Sequence, residues 1–145
     1  MIKFNSDQDL KDFVGCALAD MDLPIISASS LSNYLQLSGD RNPIHDPTKK
    51  EKPIIPGNMI ILQIPSALQS RFQLSESTNA LTTAYDIKFK NPAYLGDRLV
   101  LKAKLHTARP WGRSVHVKWD ISIHEKLTDK LHLTVLLSEI YMFVN

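Results

Sequence analysis

The sequence predicts an α+β domain, with helices packed on one face of an antiparallel sheet. Three observations predict it. Helical periodicity is confined to the first half of the chain. Period-two alternation fills the second half. Between them, Asn58 to Phe72 is apolar on nearly every side, as expected of a buried helix rather than one on the surface. The 145 residues fit one domain over 1–145, long enough to bury roughly 70% of the unfolded chain's surface.

The elements follow in order. Asp7 to Val14 sets Leu10, Phe13 and Val14 at helical spacing behind Ser6, a capping residue. Leu23 to Ile26 reads as a short edge strand, since Pro24 argues against a central one. Ser27 then caps a second helix over Ala28 to Leu37, and Gly39 ends it. Arg41 to Pro56 is irregular, with prolines at 43, 47, 53 and 56. The long apolar helix over Asn58 to Phe72 carries Pro65 in its middle, which costs about 3 kcal/mol and predicts a kink or break near Leu62 to Ile64.

Four strands follow. Tyr85, Ile87 and Phe89 mark a short one; Leu99 to Leu105, Val115 to His124, and Leu131 to Phe143 are longer. Turns are expected at Gly96-Asp97, Pro110-Trp111-Gly112 and Thr128-Asp129-Lys130. Four antiparallel strands wrapped around a long central helix make a hot-dog fold.

Composition excludes several classes. Seventeen basic residues face 15 acidic ones, for a net charge of +2, too balanced to argue for nucleic acid or a membrane surface. No run approaches the ~20 apolar residues of a membrane span, and the polar, acidic N-terminus is wrong for a secretory signal; a cytoplasmic location is expected. Cys16 is the only cysteine and reads as a small buried residue. His106, His116, His124 and His132 fall on the polar phase of their strands and read as surface residues, with no metal cluster among them. Trp111 and Trp119 read as packing or interface residues. Sequence support is absent for nucleotide hydrolysis, Rossmann redox chemistry or serine hydrolysis.

The segment that carries chemistry is Leu37-Ser38-Gly39-Asp40-Arg41-Asn42-Pro43-Ile44-His45-Asp46-Pro47, then Pro53-Ile54-Ile55-Pro56-Gly57. It holds an acid and an imidazole five positions apart on a rigid, proline-bounded turn just ahead of the buried helix. Taken alone, the spacing also suits an ordinary turn: Asp40 after a helix cap, Asn42-Pro43 as turn initiator, His45 as a satisfied loop histidine.

The segment resembles the MaoC-like family, and within it the (R)-specific enoyl-CoA hydratases. Ser38 to His45 is similar to that family's S-G-D-x-N-P-I-H motif, Pro53 to Gly57 to its P-I-V-x-G, and Phe89 to Asp97 to its strand ending in a P-V-x-x-G-D turn. The resemblance implies that Asp40 and His45 are the catalytic pair. They would share a water that adds to the β-carbon of an enoyl thioester. It implies that the Gly57 backbone N–H binds the thioester oxygen, that Asn42 orders the site, and that Ser66 matches a helix serine near the thioester. Lys49, Lys50 and Lys52, beside that site, are candidate contacts for phosphates of coenzyme A or for an acidic carrier protein. No cofactor is implied beyond the thioester carrier itself. The family pairs two units into a continuous sheet, so a homodimer is expected.

Two features depart from the pattern. The stretch from Asp46 to Lys52 is short, and Pro65 interrupts the central helix. They keep a second reading open: a non-catalytic acyl-thioester binder, or the inactive partner subunit of a dehydratase. A third, acyl-CoA thioesterase, calls for an acid on the central helix, and Asn58 to Phe72 contains neither Asp nor Glu.

Overall fold

The computed structural model describes residues 1–76 and 78–143. In chain order the elements are β1 (Ile2–Phe4), α1 (Asp7–Phe13), β2 (Met21–Asp22), α2 (Ala28–Ser38), α3 (Gly57–Ile61), α4 (Ile64–Gln69), β3 (Phe72–Leu74), β4 (Asn79–Phe89), β5 (Leu99–Trp111), β6 (Ser114–Glu125) and β7 (Leu131–Met142). A five-stranded antiparallel sheet has the order β2-β5-β6-β7-β4, and β1 pairs with β3 in a separate parallel ribbon. This is the expected α+β architecture.

Alternation builds the sheet. Leu101, Leu105, Val117, Trp119, Ile121 and Ile123 are wholly buried on its inner face, while intervening polar residues face out. β5 and β6 close on a tight turn at Gly112, whose φ of 61° suits glycine. Pro110 and Trp111, expected in that turn, belong to β5 instead. Three ladder irregularities interrupt the alternation, leaving His106, Thr83 and His132 as extra residues in their strands.

The helix caps form as their sequences dictate. Ser6 and Asp9 make a reciprocal capping box on α1. Ser27 accepts from the Ser30 backbone N–H at 3.1 Å, and Gly39 ends α2 in the left-handed region with φ 71°. The long central helix is replaced by two short ones. Leu62 ends α3, and Gln63 precedes α4. The break moves Pro65 from a helix interior to the second position of α4, where a missing N–H costs nothing. It also turns Leu62 out to solvent.

Further corrections concern the edges. The edge strand is Met21–Asp22, two residues upstream of the run ending at Ile26; Leu23 only donates its N–H to the Leu99 carbonyl beyond it. Cys16 is exposed rather than buried. β4 is the other edge. Among the described residues it pairs only with β7 and is exposed along nearly its whole length, including Leu81, Tyr85 and Phe89. No helix among the described residues is long and apolar enough to cross a membrane.

Candidate functional site

A chain of short-range hydrogen bonds shapes the loop between α2 and α3. Asp40 Oδ1 accepts from the Asn42 backbone N–H at 2.9 Å, and Asn42 Oδ1 accepts from the Ile44 N–H at 3.3 Å. These turns are what Asp and Asn side chains form when no helix competes. They lead into a single 3-10 turn, Pro43–His45, with proline at its first position. The second half of the loop is stitched to the segment after β4. The Ile55 N–H donates to the Ala93 carbonyl at 2.8 Å and the Leu95 N–H to the Pro53 carbonyl at 2.9 Å. Asp97 holds that segment in turn by accepting from the Tyr94 N–H at 2.9 Å.

His45 is fixed by this frame. Its Nδ1 lies 2.5 Å from the Ile54 carbonyl oxygen. A carbonyl only accepts, so Nδ1 carries a proton and donates it there. In the neutral ring Nε2 then holds the lone pair. That atom faces Asp40 Oδ2 at 3.8 Å, too long for a direct hydrogen bond but close enough for both to contact one intervening oxygen. Asp40 Oδ2 is the oxygen not used by the Asn42 turn. The pair thus directs one free acceptor from each residue toward a common point. Beside it, Asp46 is held below the usual carboxylate range, chiefly by hydrogen bonds from the Thr48 hydroxyl and N–H.

His45 lines a cavity of about 340 Å³ together with Ile54, Gly57, Ile60, Phe89 and His132. Asp40 lines an adjoining cleft of about 440 Å³, which also holds Asn42 and Lys49. The His45–Asp40 pair marks the border between them. A larger hollow of about 760 Å³, near Ser6, Asp7 and Arg113, has no such pair. Lys50 and Lys52 are exposed and line neither the cavity nor the cleft. Ser66 is exposed on α4 and does not line the cavity that holds His45. Among the described residues no group of three His, Cys, Asp or Glu is placed to hold a metal.

Gly57 opens α3 directly under the Phe89 ring. A Cβ at this position would come within 2.1 Å of Phe89 Cε1, so the exposed ring would have to swing aside. Gly57→Ala is therefore expected to push the solvent-facing ring off its seat and destabilise the fold by no more than about 1 kcal/mol. Phe89→Ala in the same chain should recover most of that loss. A double-mutant cycle on denaturant midpoints measures the coupling; additive losses would contradict the contact.

One site residue escapes the sequence. His132 is buried, at 3% exposure, not on the surface. Strand alternation puts it outside, but the irregularity between β6 and β7 turns it inward. Bulges of this kind carry no signature in composition.

No family model matches the chain, and no curated protein matches it. Solved structures do. A monoamine oxidase regulatory protein from Archaeoglobus fulgius is 18% identical with a TM-score of 0.71, over 88% of this chain and 91% of that one. An (R)-hydratase from A. caviae, involved in PHA biosynthesis, is 19% identical with a TM-score of 0.67, over 87% and 94%. A MaoC-like dehydratase from Rhodospirillum rubrum is 10% identical with a TM-score of 0.69, over 88% and 93%. Further matches include a thioesterase and two protein complexes from Mycobacterium tuberculosis. At such identities the likeness establishes the fold: this chain has the hot-dog fold.

Proposed function

We propose that this chain is a MaoC-like hydro-lyase that adds water to a trans-2-enoyl thioester, giving the (R)-3-hydroxyacyl thioester, or runs the reverse dehydration. The observation that carries the reading is the Asp40–His45 pair: two free acceptors 3.8 Å apart at the mouth of a cavity. A water between them is polarised from both sides. As its oxygen bonds to the β-carbon, one of its protons passes to the pair, and the π electrons move onto the thioester as an enolate. The α-carbon then takes a proton back from the pair. The elements of water are added and the pair is unchanged. His45 suits the base role because its Nδ1 proton is already committed to Ile54.

The enolate oxygen needs donors. The Gly57 N–H is one of the first-turn donors that a helix leaves free, and Gly57 borders the same cavity. Lys49 lines the Asp40 cleft, which supports it, ahead of Lys50 and Lys52, as the contact for a phosphate of coenzyme A or a carrier's acidic face. The exposed β4 edge, with Leu81, Tyr85 and Phe89, suits pairing with a second hot-dog unit, and we assign it to a homodimer.

Loss of enoyl absorbance with crotonyl-CoA and longer enoyl-CoAs, followed by chiral analysis of the product, tests the reading. Formation of the (R)-3-hydroxy product is expected. Thioester binding without turnover at any chain length would favour a non-catalytic binder or an inactive partner subunit. Hydrolysis to free coenzyme A would favour a thioesterase.

A further inference from the structure

Three buried side-chain polar atoms among the described residues have no hydrogen-bond partner: Gln63 Oε1, His116 Nε2 and His132 Nε2. Of these residues only His132 lines the cavity that holds His45. Its other ring nitrogen is accounted for. Nδ1 lies 3.1 Å from the Asn91 carbonyl oxygen, which only accepts, so Nδ1 carries the proton. None of the ion pairs involves His132, and in the neutral ring Nε2 presents a lone pair.

A purely structural role explains half of this arrangement. The Nδ1–H bond ties β7 to the Asn91 turn, alongside the Lys90 and Asn91 N–H groups that donate to the His132 carbonyl. It does not explain why a second polar atom is buried unpaired, which costs its full desolvation. Nor does it explain why the ladder is interrupted to bring this side chain in; a regular strand would leave it in water. Such interruptions commonly re-aim a side chain at a site.

We infer that His132 is a ligand-contacting residue whose Nε2 accepts a hydrogen bond from an O–H or N–H group of the bound molecule. The inference rests on the reading of the cavity as a thioester site. It then names two sources for the donor: the 3-hydroxyl of a hydroxyacyl group, or an amide N–H of the pantetheine arm. His45 and His132 divide the work. His45 with Asp40 handles the reacting water, while His132 positions the ligand and discriminates among ligands by whether they supply a donor.

Calorimetric titration of wild type, His132→Phe and His132→Gln with butyryl-CoA and (R)-3-hydroxybutyryl-CoA tests this. Both ligands carry the amide groups; only the second carries the hydroxyl. His132→Phe should weaken the hydroxyacyl ligand about tenfold, the size of one lost hydrogen bond to a buried site. Gln, which keeps an acceptor, should restore part of it. Weakening confined to the hydroxyacyl ligand assigns the hydroxyl, and equal weakening of both assigns the amide. Unchanged affinity for both in a folded Phe variant would overturn the inference and leave the proposed function standing. Failure of wild type to bind either thioester would remove both. If the Phe variant does not fold, ¹⁵N-histidine spectra of wild type decide: the His132 Nε2 resonance should move on saturation, and a stationary resonance overturns the inference.

Discussion

Asp40→Asn and His45→Ala are each expected to lower crotonyl-CoA hydration by about 10²–10⁴, the range a positioned proton-transfer group supplies. The two changes probe the pair differently. Asn at position 40 keeps an oxygen for the Asn42 N–H at 2.9 Å and nearly the same volume, so the loop should hold. What disappears is the carboxylate facing His45 Nε2 at 3.8 Å. Alanine at 45 removes the imidazole outright and frees the Ile54 carbonyl. If both groups act on one water, the double variant should be no slower than the worse single variant, because residues acting as a unit are not additive. Rates from wild type and the three variants, with circular dichroism confirming the fold, check this. A wild-type rate in Asp40→Asn would dissolve the pair.

The same loop shows what the sequence reveals. Asp40, Asn42 and His45 are bound mostly to neighbours within a few positions, and local chemistry of that kind is written in consecutive residues. The caps Ser6, Ser27 and Gly39 are legible for the same reason, as are the strands whose alternation runs for ten residues or more. What escapes is non-local or too short. β1 and β3 have three residues each and gain meaning only by pairing Ile2 with Phe72 across the chain. His132 is misplaced by one inserted ladder residue. Pro65 is legible too: it predicts a kink or break near Leu62 to Ile64, and the chain breaks at Leu62 and Gln63, which places the proline in a first turn at less cost than a kink. The edge strand lies at Met21–Asp22 because Leu101 and Val100 pair there, a fact about β5 that the local sequence does not hold.

Trp119→Ala should be the most destabilising single change, at about 3–5 kcal/mol, and should leave the chemistry of the surviving folded molecules intact. Trp119 is fully buried at the centre of β6. Its ring stacks on Phe72 at 5.2 Å and also meets Phe13, so it joins the sheet to β3 and to α1. Its Nε1–H donates to the Tyr141 hydroxyl at 2.9 Å. Tyr141 in turn donates to Glu139 Oε1 at 2.9 Å, and Thr82 donates to Glu139 Oε2 at 3.0 Å. Burial, with the Glu139 charge adding to it, holds the Tyr141 phenol well above its ordinary range, so it stays a neutral donor. Truncation to alanine therefore opens a large cavity and strips the first donor from a relay of three. Trp119→Phe is the milder change: it keeps one six-membered ring and loses the rest of the indole with its N–H, for about 1–3 kcal/mol. Against a total stability of about 5–15 kcal/mol, the alanine variant loses a large share, while the pair at the loop, positioned by Ile54 and Asn42, is untouched. Denaturant midpoints at constant m-value should fall steeply in Trp119→Ala and less in Trp119→Phe, with kcat per folded molecule unchanged. A kcat that falls with the midpoint would mean that the sheet beneath the site, not the loop alone, sets its geometry.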